Sequence, residues 1–387
     1  MGEFHDSLAS DISNHILGKI RKSDTEWKQI FSPSIHRVGS WDWPRPDIIF
    51  EDIGLDITYA NEFKPPFQNK REYLTGLGQA LSYLQNFNYA GLIVPKYSDD
   101  NFKIGSFIND TLSSEDFKNL PISLVEYDFN TLNEGFEKSV KILKPIDSAR
   151  STAPLIKRTI PKTFWAFWRD ASPFEIFDLL NLSDHYSKHT GDIYSDYVFP
   201  AFYEDMITGK TKQWNGTPRK KTASEESRKA EKQNYKIPLF QLGLIDQSEG
   251  RLTKLGYQLL FIGKLYGCES SEFYDYLTYI LLTEGKHLEL INEVYRFQLA
   301  YKVAPNSDVF LNQLEGFLSD NGHIGPRKPT ARTTSAKPSY IRDEPKLWNA
   351  LNLLIRKNHS QYFFSSEGYK FNWSNISRIL LKNYRFI

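Results

Sequence analysis

Three side chains near the start of the chain form a set that could act on a phosphate. Asp47 closes the triplet Arg45-Pro46-Asp47, and fifteen residues later comes Glu62-Phe63-Lys64. Carboxylate oxygens hold hard divalent cations such as Mg²⁺. Such a cation and a nearby ammonium together polarise a water and offset the charge of a phosphate under attack. Alternate side chains of an extended strand share a face, so Glu62 and Lys64 are expected to point the same way. Pairing that strand with the one at Asp47 would bring two carboxylates and one ammonium together. The acid-x-Lys triplet alone carries little information, because it also begins at Glu26, Asp116, Glu284 and Glu344. Only at Glu62 does it follow a Pro-Asp at short spacing, on a strand pattern with a helix next. The plain alternative is a solvated hairpin whose Glu62–Lys64 ion pair contributes little.

The neighbouring elements must position these groups. Residues 45–50 (RPDIIF) predict a strand, 51–54 (EDIG) a turn, and 55–64 (LDITYANEFK) a returning strand. Residues 70–88 predict a helix with Tyr73, Leu77, Ala80, Leu81 and Leu84 on one stripe. Residues 90–95 and 122–129 read as buried strands. Upstream, Phe4, Leu8, Ile12, Ile16 and Ile20 recur every four residues, which predicts an amphipathic helix. The order helix, hairpin, helix, strand, strand predicts an α/β unit with a mixed sheet flanked by helices.

Pro46-Asp47 with Glu62-Phe63-Lys64, in this order of elements, resembles the PD-(D/E)XK nuclease superfamily, which holds most type II restriction endonucleases. The likeness covers roughly residues 1–130. It implies that Asp47 and Glu62 bind Mg²⁺ with help from the backbone carbonyl of Phe63, and that Lys64 assists the attacking water. Gln79 and Tyr83 match a Gln-x₃-Tyr element found in a subset of these nucleases, and their spacing puts them on one helix face. Many members also carry a first-helix glutamate near the metal, for which Glu3, or else Asp6, is the candidate. The resemblance further implies sequence-specific cleavage of double-stranded DNA to 5′-phosphates, and a cognate DNA methyltransferase in the same system.

Beyond residue 145 the character changes. The pattern predicts a nuclease domain over 1–145, a Pro- and Ser-rich linker over 146–161 and a mainly helical recognition region over 162–320. A basic mobile linker is expected over 321–345 and a small helical segment over 346–387. Phosphate recognition needs Lys and Arg. Residues 210–236 hold nine basic and three acidic side chains. From here to a hairpin at Arg251, the candidate DNA contacts are Lys212, Arg219, Lys220, Lys221, Arg228, Lys229, Lys232 and Arg251. Leu242-Gly243-Leu244-Ile245, followed by Arg251-Leu252-Thr253, looks like the wing of a winged-helix domain. There a helix ends at glycine, a hairpin follows, and Thr caps the next helix. The preceding helix, over 224–236, would then face a DNA groove. The alternative is a solvated basic loop.

Composition bounds these readings. The chain has 387 residues, 40% hydrophobic and 25% charged, which excludes a disordered or collagen-like protein. No apolar run approaches the ~18 residues of a spanning helix, so no membrane partner is expected. The formal charge of +1 hides segregation: residues 1–150 carry 16 basic and 22 acidic side chains, residues 151–387 carry 32 and 25. The single Cys268 excludes an internal disulfide and favours a cytoplasmic setting, and the N-terminus lacks signal-peptide character. His185 and His189 share helical spacing but lack a glutamate between them, so they read as surface residues. Two rivals stay open: a repair or mobile-element nuclease for structured DNA, and a non-catalytic winged-helix regulator. A duplex break needs two cuts, so a homodimer and a reorienting monomer are both compatible.

Overall fold

The computed structural model describes the chain apart from residues 1, 23–29, 40–43, 53, 147–162, 169–170, 222–223, 302, 304–306, 326–340, 342, 358–360 and 383–387. It divides into two compact units, Met1–Phe164 with Phe317–Thr333, and Trp165–Gly316 with Thr334–Ile387. The expected linkers at 146–161 and 321–345 fall largely outside the described residues.

The first unit is α/β. Its order is α1 (Gly2–Arg21), β1 (Ile35–Val38), β2 (Ile48–Asp52), β3 (Ile57–Phe63), α2 (Lys70–Tyr83), β4 (Tyr89–Pro95), α3 (Ile104–Ser113), β5 (Ile122–Tyr127), α4 (Phe136–Ser139) and β6 (Val140–Lys144). The six strands lie in chain order in one mixed sheet. β3, β4 and β5 are parallel, and the other neighbours are antiparallel. Parallel neighbours need a crossover, and α2 and α3 supply it. The faces follow strand alternation. Tyr59 and Phe63 of β3 pack with Leu8, Ile12 and Ile16 of α1. Ala60 packs with Tyr73 and Ala80 of α2 and Ile108 of α3 on the opposite face. β4 is buried at all seven residues, as a central strand covered on both faces must be.

Two expectations need correction here. The hairpin turn does not occupy Glu51–Gly54. Glu51 pairs with Thr58 and Asp52 with Ile57, so both belong to the ladder. The turn lies just beyond, because the buried Asp52 carboxylate accepts the N–H groups of Gly54 (3.0 Å) and Leu55 (3.3 Å). The same carboxylate accepts from the Ser32 and Ser34 hydroxyls, tying the hairpin to the approach to β1. The second helix stops at Tyr83 and not at 88. Asn88 leaves the helical path so that its carboxamide oxygen can accept the Thr58 N–H (2.9 Å) and hydroxyl (3.1 Å). The strands β1 and β6 and the helix α3 carry no expectation from the sequence.

The second unit is mainly helical: α5 (Pro173–His185), α6 (Phe199–Thr208), α7 (Glu225–Gln241), α8 (Lys254–Tyr266), α9 (Ser271–Thr283), α10 (His287–Ala300), α11 (Ser307–Asp320, whose last turn belongs to the first unit), α12 (Glu344–Ala350) and α13 (Trp373–Leu381). The C-terminal segment is not wholly helical, since β7 (Phe364–Ser365) and β8 (Gly368–Tyr369) form a small hairpin in it. Trp165 and Trp168 are buried, with the Trp165 indole donating to Glu344 (3.0 Å). No helix among the described residues is long and apolar enough to cross a membrane.

Removing the Asp52 carboxylate should loosen the whole hairpin, because it strands at least two N–H groups. Asp52→Ala is expected to lower unfolding free energy by about 2–3 kcal/mol, measured by urea denaturation. Unchanged stability would refute this role.

Candidate active site

Asp47 stands immediately before β2. Because Ile48 pairs with Asn61, the antiparallel register sets Asp47 opposite the end of β3. Its Oδ2 accepts the Phe63 N–H at 2.9 Å. Glu62 lies on the face of β3 that α2 covers, 3% exposed. Its Oε1 lies 2.9 Å from the Lys64 Nζ, so the two side chains do share a face. Lys64 also donates to the Gln79 Oε1 at 2.9 Å, and the Tyr83 hydroxyl donates to the Glu62 Oε2. Asp47, Glu62, Lys64, Gln79 and Tyr83, scattered over 37 residues of sequence, thus meet at the C-terminal end of β3.

Backbone contacts fix the group further. The Lys64 N–H donates to the Ile93 carbonyl (2.9 Å), and the Tyr127 hydroxyl donates to the Lys64 carbonyl (2.8 Å). Gly76 of α2 faces Lys64 so closely that an added Cβ would meet its Cε at 2.6 Å. A side chain at 76 would therefore force the ammonium stem aside. Gly76 is a positioning feature that its place inside a helix does not advertise.

Electrostatics concentrates on Glu62. Burial, helped by the Asp47 charge, pushes its carboxyl up to about 7, against the opposing pull of Lys64 and Tyr83. Burial and the Glu62 carboxylate together push the Tyr83 phenol well above its ordinary value. Tyr83 therefore serves as a neutral hydroxyl donor. It can also reach the Arg45 carbonyl, at 3.2 Å.

Among the described residues no three His, Cys, Asp or Glu side chains cluster as a metal site. The donors at the end of β3 are two carboxylates, Asp47 and Glu62, and the adjoining peptide carbonyl of Phe63. This all-oxygen set fits a hard cation such as Mg²⁺, which keeps several waters and takes few protein ligands. The side chains of Glu3 and Asp6 lie outside the described residues. His5 was not anticipated. Its Nε2 lies 4.0 Å from the Asp47 Oδ2 and 3.4 Å from the Phe63 carbonyl oxygen, and its ring meets Phe63 edge-on at 5.2 Å. The four-residue stripe of α1 gives the missing signal, since His5 precedes Leu8 and Ile12 by three and seven positions, on their face.

In the second unit the basic candidates separate by partner. Arg219 is turned inward: its side chain is 13% exposed, and its guanidinium binds the fully buried Glu175, which also accepts from Tyr235 (2.8 Å). Arg251 donates to the carbonyls of Ser187 and His189, the latter at 2.7 Å, and pairs with Glu249. These two hold the fold together and are poorly placed as phosphate contacts. Lys212 pairs with Glu269 (3.0 Å), Lys221 with Glu231, and Lys229 with Glu225 (3.7 Å). The exposed pairs of Lys212 and Lys229 yield readily to another anion, whereas that of Lys221 is half-buried. Lys220 and Arg228 are exposed, and Lys232 is half-buried. Arg228 borders an open groove of about 410 Å³ with Pro200, Tyr203 and Glu204.

The segment between α7 and α8 has the local form its sequence implies. Gly243 takes a left-handed φ of 69° after α7. Ile245 and Leu252 form an antiparallel bridge, and the Thr253 hydroxyl accepts the Gly256 N–H (3.1 Å) to cap α8. The Asp246 carboxylate closes the loop by accepting the N–H groups of Glu249 and Arg251.

Compared with protein-family models and with curated proteins, the chain matches none.

Two outcomes follow from these environments. A carboxyl raised in the folded state adds stability that is complete below the unfolded value, near 4.5, and is lost as pH rises through about 7. Metal-free wild-type protein should therefore lose roughly 2–3 kcal/mol across that window relative to Glu62→Gln. Parallel pH–stability curves for the two proteins would contradict the burial argument. Arg219→Ala leaves Glu175 buried without its cation, so it should destabilise by about 3–5 kcal/mol. Lys229→Ala should change thermal stability little. Equal melting temperatures for these two variants would rule out the structural role of Arg219.

Proposed function

We propose that the first unit is a Mg²⁺-dependent DNA endonuclease domain of the PD-(D/E)XK type, and that the second unit, with a winged-helix-like part around α7 and α8, reads duplex DNA. The reading rests on one observation: Asp47, Glu62 and Lys64 converge at the end of β3, with Gln79 and Tyr83 bonded to Lys64 and Glu62. Burial alone does not mark chemistry, since Arg219 and Glu175 form a buried pair in the second unit. What favours chemistry over a binding-only regulator is that two carboxylates and an ammonium meet at one strand end.

Asp47, Glu62 and the Phe63 carbonyl would hold Mg²⁺, which when bound supplies positive charge to the scissile phosphate. Lys64 orients the attacking water by hydrogen bonding and stabilises the negative charge that builds on phosphorus oxygens. Gln79 holds the ammonium in place, and Tyr83 fixes the Glu62 carboxylate. Water attacks in line and gives up a proton to solvent as the new P–O bond forms; the bond to the 3′ oxygen breaks and that oxygen takes up a proton, leaving a 3′-hydroxyl and a 5′-phosphate. Within the DNA-binding unit, Lys212, Lys220, Arg228 and Lys229 are the exposed phosphate contacts, with the half-buried Lys221 and Lys232 beside them. A type II restriction role, with a methyltransferase protecting the host site, accounts for separate cutting and reading units. A cytoplasmic location belongs to the same reading, and the two cuts of a duplex break suit either a homodimer or a reorienting monomer.

Plasmid digestion with and without Mg²⁺, followed by sequencing of the ends, tests it. Discrete fragments with 5′-phosphates are expected. Asp47→Ala and Lys64→Ala should cut at least a hundredfold more slowly while binding the same duplex in Ca²⁺. Site-specific binding without any cutting would refute the nuclease reading, and unimpaired cutting by either variant would refute the site.

A further inference from the structure

Phe67 sits three residues beyond Lys64 and is 68% exposed, more than any other large hydrophobic of the first unit among the described residues. Its backbone takes a left-handed φ of 65°. A bulky side chain in that region is strained, and Gly or Asn would occupy it at lower cost. The position therefore combines two unfavourable choices, a strained aromatic and an exposed one.

Hydrogen bonds on both sides of Phe67 hold the loop. Pro65 and Pro66 stiffen it. The Tyr73 hydroxyl donates to the Pro65 carbonyl (3.2 Å) and accepts the Gln68 N–H (3.0 Å), clamping both ends. The Asp99 N–H reaches the Gln68 carbonyl at 3.3 Å. One side of the ring leans edge-on against Phe129, at 5.3 Å and 85°. Phe67 and Phe129 follow the C-terminal ends of β3 and β5, parallel strands with β4 between them. Ligands of such sheets bind outside that end. The loop backbone is thus fixed on both sides of a solvent-facing ring that follows Lys64 by three residues, at the strand ends where the candidate active site also lies.

We propose that Phe67 is a substrate-positioning residue, whose ring stacks on a nucleobase flanking the scissile phosphate. The inference rests on the nuclease reading and names a substrate contact for that site. Stacking needs no hydrogen-bond readout, so the contact would set position and not sequence. Fixing the loop in advance lowers the entropy lost on binding.

The test uses the full chain and a duplex carrying the cleavage site mapped by digestion, with 2-aminopurine placed in turn at each position around the cut. Binding is followed in Ca²⁺ and cleavage in Mg²⁺. Wild type should change the 2-aminopurine fluorescence at one position beside the cut. Phe67→Gly should lose that change and fall about tenfold to a hundredfold in kcat/KM, while Phe67→Trp retains both. Because glycine accepts φ near 65° without strain, the melting temperature of Phe67→Gly should match or exceed that of wild type. Unaltered fluorescence and cleavage in Phe67→Gly, with Lys64→Ala still inactive, overturns the inference and leaves the nuclease reading standing. A lowered melting temperature in parallel with lost activity also overturns it, by making the ring structural. Absence of Mg²⁺-dependent cleavage by wild type overturns both.

Discussion

The Glu62 carboxylate is drawn out of water at the end of β3, and much of the first unit answers to that one burial. A lone carboxylate there would be neutral or destabilising. The ammonium of Lys64 and the hydroxyl of Tyr83 offset part of the cost. Each then imposes its own constraint. Tyr83 requires α2 to cross this face of the sheet. Lys64 requires Gln79 one turn away and a glycine at 76 where the helix approaches. Asp47 is set opposite by the hairpin register, which Asp52 secures from the far end of the same strand. The partners do not cancel the cost, since the carboxyl stays raised to about 7. A hard cation would supply the missing positive charge.

The same physical distinction, buried charge against exposed charge, sorts the second unit. A net charge of +1 conceals a chain whose later part carries the excess of Lys and Arg. Not all of that excess is available to a polyanion. Arg219 neutralises a carboxylate with no access to water, and Arg251 ties a hairpin to the loop after α5. Among the candidate contacts, those that remain outward lie along α7 and the segment before it, and other exposed cations of the second unit include Lys264, Lys346 and Lys370.

Much of the first unit was legible as pattern. Strand β3 and helices α1 and α2 announce themselves by period, and strands β2, β4 and β5 by short, largely unbroken apolar runs, because these three are buried along nearly their whole length. β1 and β6 did not. β1 is four residues long, and β6 alternates only partly between buried and exposed positions, so neither carries a strong signal. The site followed the same rule. Glu62 and Lys64 share a face because strand geometry leaves no alternative. Gln79 and Tyr83 share one because helix geometry leaves none. His5 carries no acidic or motif signal of its own, only its place on α1 three residues before the buried Leu8.

The sequence by itself determined which residues could share a face within each element, since period depends only on local backbone geometry. It determined the turn chemistry at Gly243 and Thr253 for the same reason. Only the tertiary structure decided which faces met: Asp47 against Phe63, Lys64 against Gln79, Tyr83 against Glu62. It also decided which charges were spent on the fold, as with Arg219 and Glu175. Those pairings depend on register, helix approach and burial, which are properties of the assembled chain. Two arginines in similar basic stretches read alike until one is found out of water.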